Sequence, residues 1–432
     1  VPFLAAGQHS ALYPFSVLFY VLPLAAAYGW FAALHLFLAG AFTYLLARTL
    51  RLGRVGSTLA AVTFMFAGFT VTHNVFPMII AAVVWLPLIL VAIERIVQRA
   101  EAQHKAAGHT GLVGHLPDLV LGALATGMVF LAGHPEMYYY VALTAGAYAL
   151  WRLGALAVRT RNANAVLKTG GVLVALAGLG LGLGAAQWLP LLKLVRTNFR
   201  EGSASLHQVL DWAYPRRRIL ALLIPDFFGN PAHHRYLDLF TWQTTPVTVN
   251  TLGQSIDHIY WGIKNYVEGA SYVGVLPALL ALVGLLSPSR SPESRSIRRF
   301  FGLLALVSLL LVFGTPLYAL VYALPGLSQV HSPFRWVMPY TLSMALLAGM
   351  GADAYARAGR RRVDDSALTG VGGLTRYRER CAKQVLPWLA TAAGAVGLLG
   401  LAGSLLIKER MASLAERALQ ALALAPQAFA DG

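Results

Sequence analysis

Apolar residues along this chain gather in runs that approach the about 20 needed for a helix to cross the hydrocarbon core of a bilayer. Ten such runs are predicted, at 24–46, 56–71, 76–93, 119–131, 137–150, 170–192, 270–286, 300–320, 336–354 and 385–407. The apolar stretch 14–22 is too short to cross and reads as an interfacial or re-entrant helix. Between the runs, positive charge alternates. Arg48, Arg51 and Arg54, then Arg95 and Arg99, then Arg152 and Arg159, then Arg295, Arg298 and Arg299, and lastly Arg357 and Arg360–Arg362 fall in every second loop. Lys and Arg are retained on the cytoplasmic side, so these loops are predicted to be inner. The first residues, the turns at 72–75 and 133–136, the long segment 193–269 and the stretch 322–335 are then outer. Residues 1–407 form one transmembrane domain with a cytoplasmic loop at 357–384, and 408–432 form a weakly amphipathic tail.

Composition sharpens this picture. The chain has 432 residues, 57% apolar and only 12% charged, with a mean hydropathy of +0.61, which excludes an ordinary cytosolic enzyme. Its net charge of +16 sits between apolar runs and therefore reads as inner-loop charge, not as a nucleic-acid footprint. Cys381 is the single cysteine and can form no internal disulfide. The chain opens on Val1 with no leader, so it is expected to be a fragment lacking a first helix and most of a first outer loop. The predicted spans hold no Asp, Glu, Lys or Arg at mid-depth. His35 alone lies well inside one, as an interhelical hydrogen-bonding residue or, less simply, a proton relay. Gly178, Gly180, Gly182 and Gly184 read as a close helix-packing stripe.

Polar and aromatic residues collect at the predicted outer face. One group precedes the interfacial helix, from Gln8 to Tyr13; a second is Thr72, His73 and Asn74. The third is Gly133, His134, Pro135 and Glu136, followed by Tyr138, Tyr139 and Tyr140. Glu136 at an apolar boundary suits a general acid or base, or a simple helix-capping acid. Arg216, Arg217 and Arg218 ahead of an apolar stretch suit an amphipathic helix among lipid phosphates, followed by Asp226 as a further candidate acid. Tyr260, Trp261, Asn265 and Glu268 are the side chains that stack on and hydrogen-bond sugars, although an interfacial belt accounts for some of them. His331 and Arg335 stand at the mouth of a span, where an Arg either snorkels to headgroups or clamps a phosphate. His233 and His234 match no strong metal pattern; no cofactor motif is evident, and a divalent metal is possible without support from spacing.

Several stretches together carry a family resemblance: FLAAGQHSALY at 3–13, LHLFLAGAFTYLL at 34–46, FMFAGF at 64–69, LAGHPE at 131–136, LIPDFFGNP at 223–231 and YWGIKNYVEGASYVG at 260–274. In this order the chain resembles the YfhO-type bacterial membrane proteins of the GT-C glycosyltransferase class. The resemblance implies an all-α polytopic bundle in the bacterial cytoplasmic membrane. Its implied activity is transfer of a sugar from a polyprenyl-phosphate carrier to an envelope glycan or lipid acceptor on the outer side. It also implies a catalytic acid in a first outer loop, largely absent here, so Glu136 and Asp226 stand as the available acids. His331 stands where the family pattern carries a first Arg ahead of Arg335, which by the resemblance implies a weaker or pH-dependent phosphate grip. A lipid or polysaccharide transporter, or a non-catalytic scaffold, is the alternative, and uncharged spans count against transport.

Overall fold

The computed structural model describes Phe3 and residues 8–105, 112–196, 205–225, 266–289, 291–324 and 332–365, with a short strand pair at 235–246. Side chains are outside the description at 105, 112, 113, 195, 196, 217, 235–246 and 358–365. The chain runs as helices: α1 (Leu18–Val21), α2 (Leu24–Thr49), α3 (Arg54–Phe66), α4 (Gly68–Thr72), α5 (Pro77–Val83), α6 (Leu86–Lys105), α7 (Leu116–Leu131) and α8 (Pro135–Thr160). Then follow α9 (Ala163–Leu183), α10 (Ala185–Arg196), α11 (Leu206–Leu210), α12 (Val275–Leu286), α13 (Pro292–Val312), α14 (Tyr318–Tyr322) and α15 (Val337–Asp365). Among the described residues the architecture is helical apart from one ribbon, in which β1 (Arg235–Asp238) pairs antiparallel with β2 (Gln243–Pro246). A two-stranded ribbon of four residues a side leaves the expected all-α class in place.

Four helical stretches among the described residues are long and apolar enough to cross a membrane: Leu24–Thr49, Pro77–His104, Pro135–Thr160 and Ala163–Leu183. A fifth arises if Arg54–Phe66 and Gly68–Val75, bent by 44°, count as one span. The other predicted crossings are shorter (Leu116–Leu131, Val275–Leu286), carry charge at one end (α13, α15), or lie outside the described residues (385–407). Exposed Trp30 (64%), Phe37 (65%) and Leu150 (72%) stud these helices, as a lipid-facing surface requires. Before α2, the short helix predicted at 14–22 is a 3-10 turn at Pro14–Val17 running directly into α1, with Tyr20 and Val21 exposed.

At the centre, α15 is enclosed by α12, α3 and α13. Glycines set these distances: a Cβ on Gly284 or Gly351 would strike the backbone of α15 or α12, and one on Gly56 or Gly349 would strike across the α3–α15 crossing. The glycine stripe on α9 behaves the same way on one face only. Gly180 and Gly184 abut Thr126 and Phe130 of α7, while a Cβ on Gly178 or Gly182 would meet nothing within 4 Å. The i, i+4 spacing explains the split, since alternate glycines point to opposite sides of a helix.

The break between α3 and α4 has a visible cause. Ala67 is extended (φ −60°, ψ 148°), and the freed amide of Gly68 donates to the carbonyl of Tyr272 at 2.7 Å. Gly68 also lets that strand-like segment pass close by.

The helices outrun the predicted spans at their Arg-rich ends. Glu94 and Arg152, each one or two residues beyond a predicted boundary, are both fully buried, with Arg152 Nε and Nη2 at 2.6 and 3.0 Å from Glu94. Tyr148 donates to the same carboxylate at 2.7 Å. Glu101, Glu293, Arg159 and Arg51 extend this into a network joining α6, α8, the start of α13 and the turn after α2. The expectation of charge-free helices therefore holds for the predicted spans but not for the buried bundle, because carboxylate–guanidinium pairing makes burial tolerable there.

His35 is likewise buried and satisfied: its Nδ1 donates to Phe31 O (2.7 Å), its Nε2 accepts from Tyr13 (2.9 Å), and Trp85 donates to the same hydroxyl (3.0 Å). Its bonds run to its own helix and to the N-terminal segment at Tyr13, so it is a satisfied buried histidine with no direct bond to a second helix among the described residues.

Candidate functional site

The turn Gly133–Glu136 is built by local rules. Gly133 takes a positive φ (82°) to reverse the chain, Pro135 occupies the first helical turn, and the His134 side chain caps α8 by accepting from Met137 N (3.3 Å). Glu136 in that first turn faces the favourable end of the helix dipole. Ser10 donates to Ala132 O at 2.6 Å, so the N-terminal segment is laid against this turn.

Arg335 arrives from the 3-10 turn Pro333–Trp336 that leads into α15, and its position is fixed by Tyr140 donating to Ser332 O at 2.6 Å. One guanidinium nitrogen, Nη1, bonds Glu136; the other, Nη2, reaches Glu268 at 3.3 Å. Glu268 is supplied by a segment held from three sides. Tyr214 donates to Glu268 O (2.8 Å), Arg218 Nη2 to Gly269 O (3.2 Å), and Thr72 to Val267 O (3.3 Å). His134 Nε2 lies 3.4 Å from Arg335 Nη1. A neutral imidazole has one lone pair, so its contacts with Met137 N and Arg335 cannot both be accepted hydrogen bonds. Burial first, and the charge of Arg335 second, hold His134 well below the usual imidazole range, and it is neutral at pH 7. His73 completes the group electrostatically: it is 1% exposed, its Nδ1 donates to Phe69 O (2.8 Å), and its Nε2 lone pair and Arg335 Nε meet no partner.

The cluster thus contains two carboxylates, one guanidinium and two imidazoles. With the His residues neutral its formal charge is −1, and Glu136, 28% exposed, is its most accessible acid, against 13% for Glu268. Such a set can accept a proton and hold hydroxyl groups. It is poorly suited to a bare phosphate, because Arg335 already serves two carboxylates, a pairing that neither of its two sequence readings anticipated.

Of the residues singled out in the sequence, His73, His134, Glu136, Glu268 and Arg335 come together. Arg218 departs from the lipid-facing expectation: it is 4% exposed, its guanidinium lies over the Tyr214 ring, and it supports Gly269. The short apolar run that follows is a 3-10 helix, Arg216–Leu222, without the length for an amphipathic face; Arg216 is exposed, and the side chain of Arg217 is outside the described residues. Asp226, Tyr260, Trp261, Asn265 and His331 also lie outside the described residues. The tyrosine run divides: Tyr138 donates to Phe130 O (2.7 Å) and Tyr140 to Ser332 O, leaving Tyr139 facing outward.

Sequence reasoning missed Tyr318, buried beside Tyr140 and raised above the usual phenol range, chiefly by burial and next by Glu136. It was assigned to the predicted span 300–320. The available signal was Gly314-Thr315-Pro316, where Gly314 at φ 62° ends α13 early. Among the described residues no three His, Cys, Asp or Glu side chains are arranged to hold a metal ion. No family model matches the chain, and neither a curated protein nor a solved structure matches it.

Proposed function

We propose that the chain acts as a membrane glycosyltransferase of the GT-C kind, moving a sugar from a polyprenyl-phosphate carrier to an envelope glycan or lipid acceptor at the outer face of the bacterial cytoplasmic membrane. The observation that carries the reading is the meeting of Glu136, Glu268, Arg335 and two buried histidines at one end of a bundle with membrane-length helices. Glu136 takes the proton of the acceptor hydroxyl as general base, the acceptor oxygen bonds the anomeric carbon of the sugar, and that carbon's bond to the carrier oxygen breaks, releasing polyprenyl phosphate into the bilayer. Arg335 is a positioning residue that keeps the two carboxylates together, and Glu268 binds sugar or acceptor hydroxyls. Ten spans, the YfhO-type likeness and the outer orientation belong to this proposal.

The test is to compare envelope glycolipids and glycans by mass spectrometry in cells carrying the wild-type or Glu136→Gln gene, with protein levels matched. Loss of one glycan species in the variant supports the reading, and identical profiles sink it.

A transporter is the second reading, favoured by the buried Glu94–Arg152 network. Against it, Arg152 grips Glu94 through two nitrogens and Tyr148 donates to the same carboxylate, an arrangement suited to a fixed pair.

A further inference from the structure

At the opposite end of the bundle the close crossing of α12 and α15 at Gly284 and Gly351 ends, and the two helices part around an open cleft. The turn after α2 roofs it with Leu50, Arg51 and Leu52, and the start of α13 closes its side with Ser294, Ile297 and Arg298. Three guanidinium-bearing residues line it: Arg51, Arg298 and Arg357. Their partners differ. Arg51 pairs with Glu293 (3.5 Å), and Arg357 pairs with Asp353, the one carboxylate in the lining, which also accepts from Gly53 N (3.0 Å). Arg298 makes no ion pair among the described residues. Its Nη1 donates to the carbonyls of Gly284 and Ser287, while Arg295 and Arg299 add positive charge beside it. Hydroxyls of Ser287, Ser289 and Ser294 stand in the same lining.

Next to the mouth, the last turns of α12 leave Leu282, Leu285 and Leu286 exposed at 50, 40 and 65%. A free anion has no use for that surface, whereas a lipid places its phosphate among cations and its tails along such side chains.

We propose that this cleft binds the phosphate headgroup of an anionic phospholipid, with Arg298 as its principal cation and the serine hydroxyls as further donors. Apolar side chains at the roof and wall, Leu50, Leu52 and Ile297, exclude water around the headgroup and strengthen the pairing. The site does not depend on the chemistry proposed for the other end.

The experiment uses the full chain, delipidated in detergent, with native mass spectrometry reading the bound fraction during titration with phosphatidylglycerol, phosphatidylcholine or inorganic phosphate. Phosphatidylglycerol should bind about tenfold more tightly than phosphatidylcholine, and Arg298→Gln should erase the difference. Because Arg298 also bonds main-chain carbonyls, Ser289→Trp is the second variant: it fills the cleft from the loop after α12 with every arginine kept. It should lose the same preference at an unchanged thermal midpoint. Equal binding of the two lipids, or retained preference in folded Ser289→Trp, overturns the proposal. So does inorganic phosphate that binds as tightly as phosphatidylglycerol and displaces it, for that result describes a soluble-anion site.

Discussion

Arg335 is one guanidinium shared by two carboxylates, so its removal and the removal of either acid leave different debts behind. Arg335→Met strands Glu136 and Glu268 beside each other with little solvent, and the thermal midpoint in detergent should fall by an amount corresponding to about 3 kcal/mol. Adding Glu136→Gln and Glu268→Gln to that variant should recover part of the loss, because the uncompensated charges go too. Failure to recover would mean that Arg335 acts through packing. His134 makes a pH prediction. Its folded-state affinity for a proton is lowered, so the unfolded chain takes up the proton first as pH drops below about 6.5, and stability falls with it. Above that pH the contribution is complete. His134→Asn should flatten the decline in the thermal midpoint between about pH 6.5 and pH 5 relative to wild type; parallel curves would refute the assignment. At this scale the sequence was informative where a residue's oddity was local, as in the Gly-His-Pro-Glu turn. It misled at Arg218, since three adjacent arginines look alike until one of them finds a backbone carbonyl to support.

Among the helices, hydropathy located the runs but not their ends. It stopped at 93 and 150 because Glu94 and Arg152 read as water-loving, although pairing hides both completely. The double-mutant cycle is direct: Glu94→Gln alone should cost about 3 kcal/mol, and Glu94→Gln with Arg152→Met should cost less than the sum of the two single changes in thermal unfolding. Breaks inside runs were passed over: the apolar character continues past Ala67 without a signal, and past Gly314 despite the Gly-Thr-Pro that marks it. Glycine spacing was more readable, though only contact geometry tells the packed glycines of α9 from the idle ones. Gly351→Val should strike the carbonyl of Leu280, which has no rotamer to yield, and remove most folded protein from size-exclusion profiles. Gly178→Ala should be neutral.

Taken as a whole, the bundle has two chemically different ends. The acidic cluster begins α8 and the Glu94–Arg152 network lies in the same helix some seventeen residues on, about 25 Å away along its axis. Alternation of positive loops made this polarity legible in advance, and it yields an orientation test. In a Cys381→Ser background, a cysteine at Asn74 should react with an impermeant maleimide on intact cells, while one at Ser289 should react only after permeabilisation; the reverse pattern would invert the predicted topology. The all-helical class was legible too. Assembly of His73, His134, Glu136, Glu268 and Arg335 was not, because it depends on four distant turns meeting.

The bond between Gly68 and Tyr272 has a bearing on how the protein is made. While the ribosome has reached only the first of these residues, its amide has no Tyr272 carbonyl to bond. The nearest acceptor is then Phe64 O, four residues back, which predicts a straight helix through 54–72 at that stage. On that prediction the 44° bend forms once the later segment is in place alongside. The candidate site is thus assembled late in biogenesis, and a nascent chain arrested before residue 272 carries His73 and Glu136 without the elbow that brings their neighbours together.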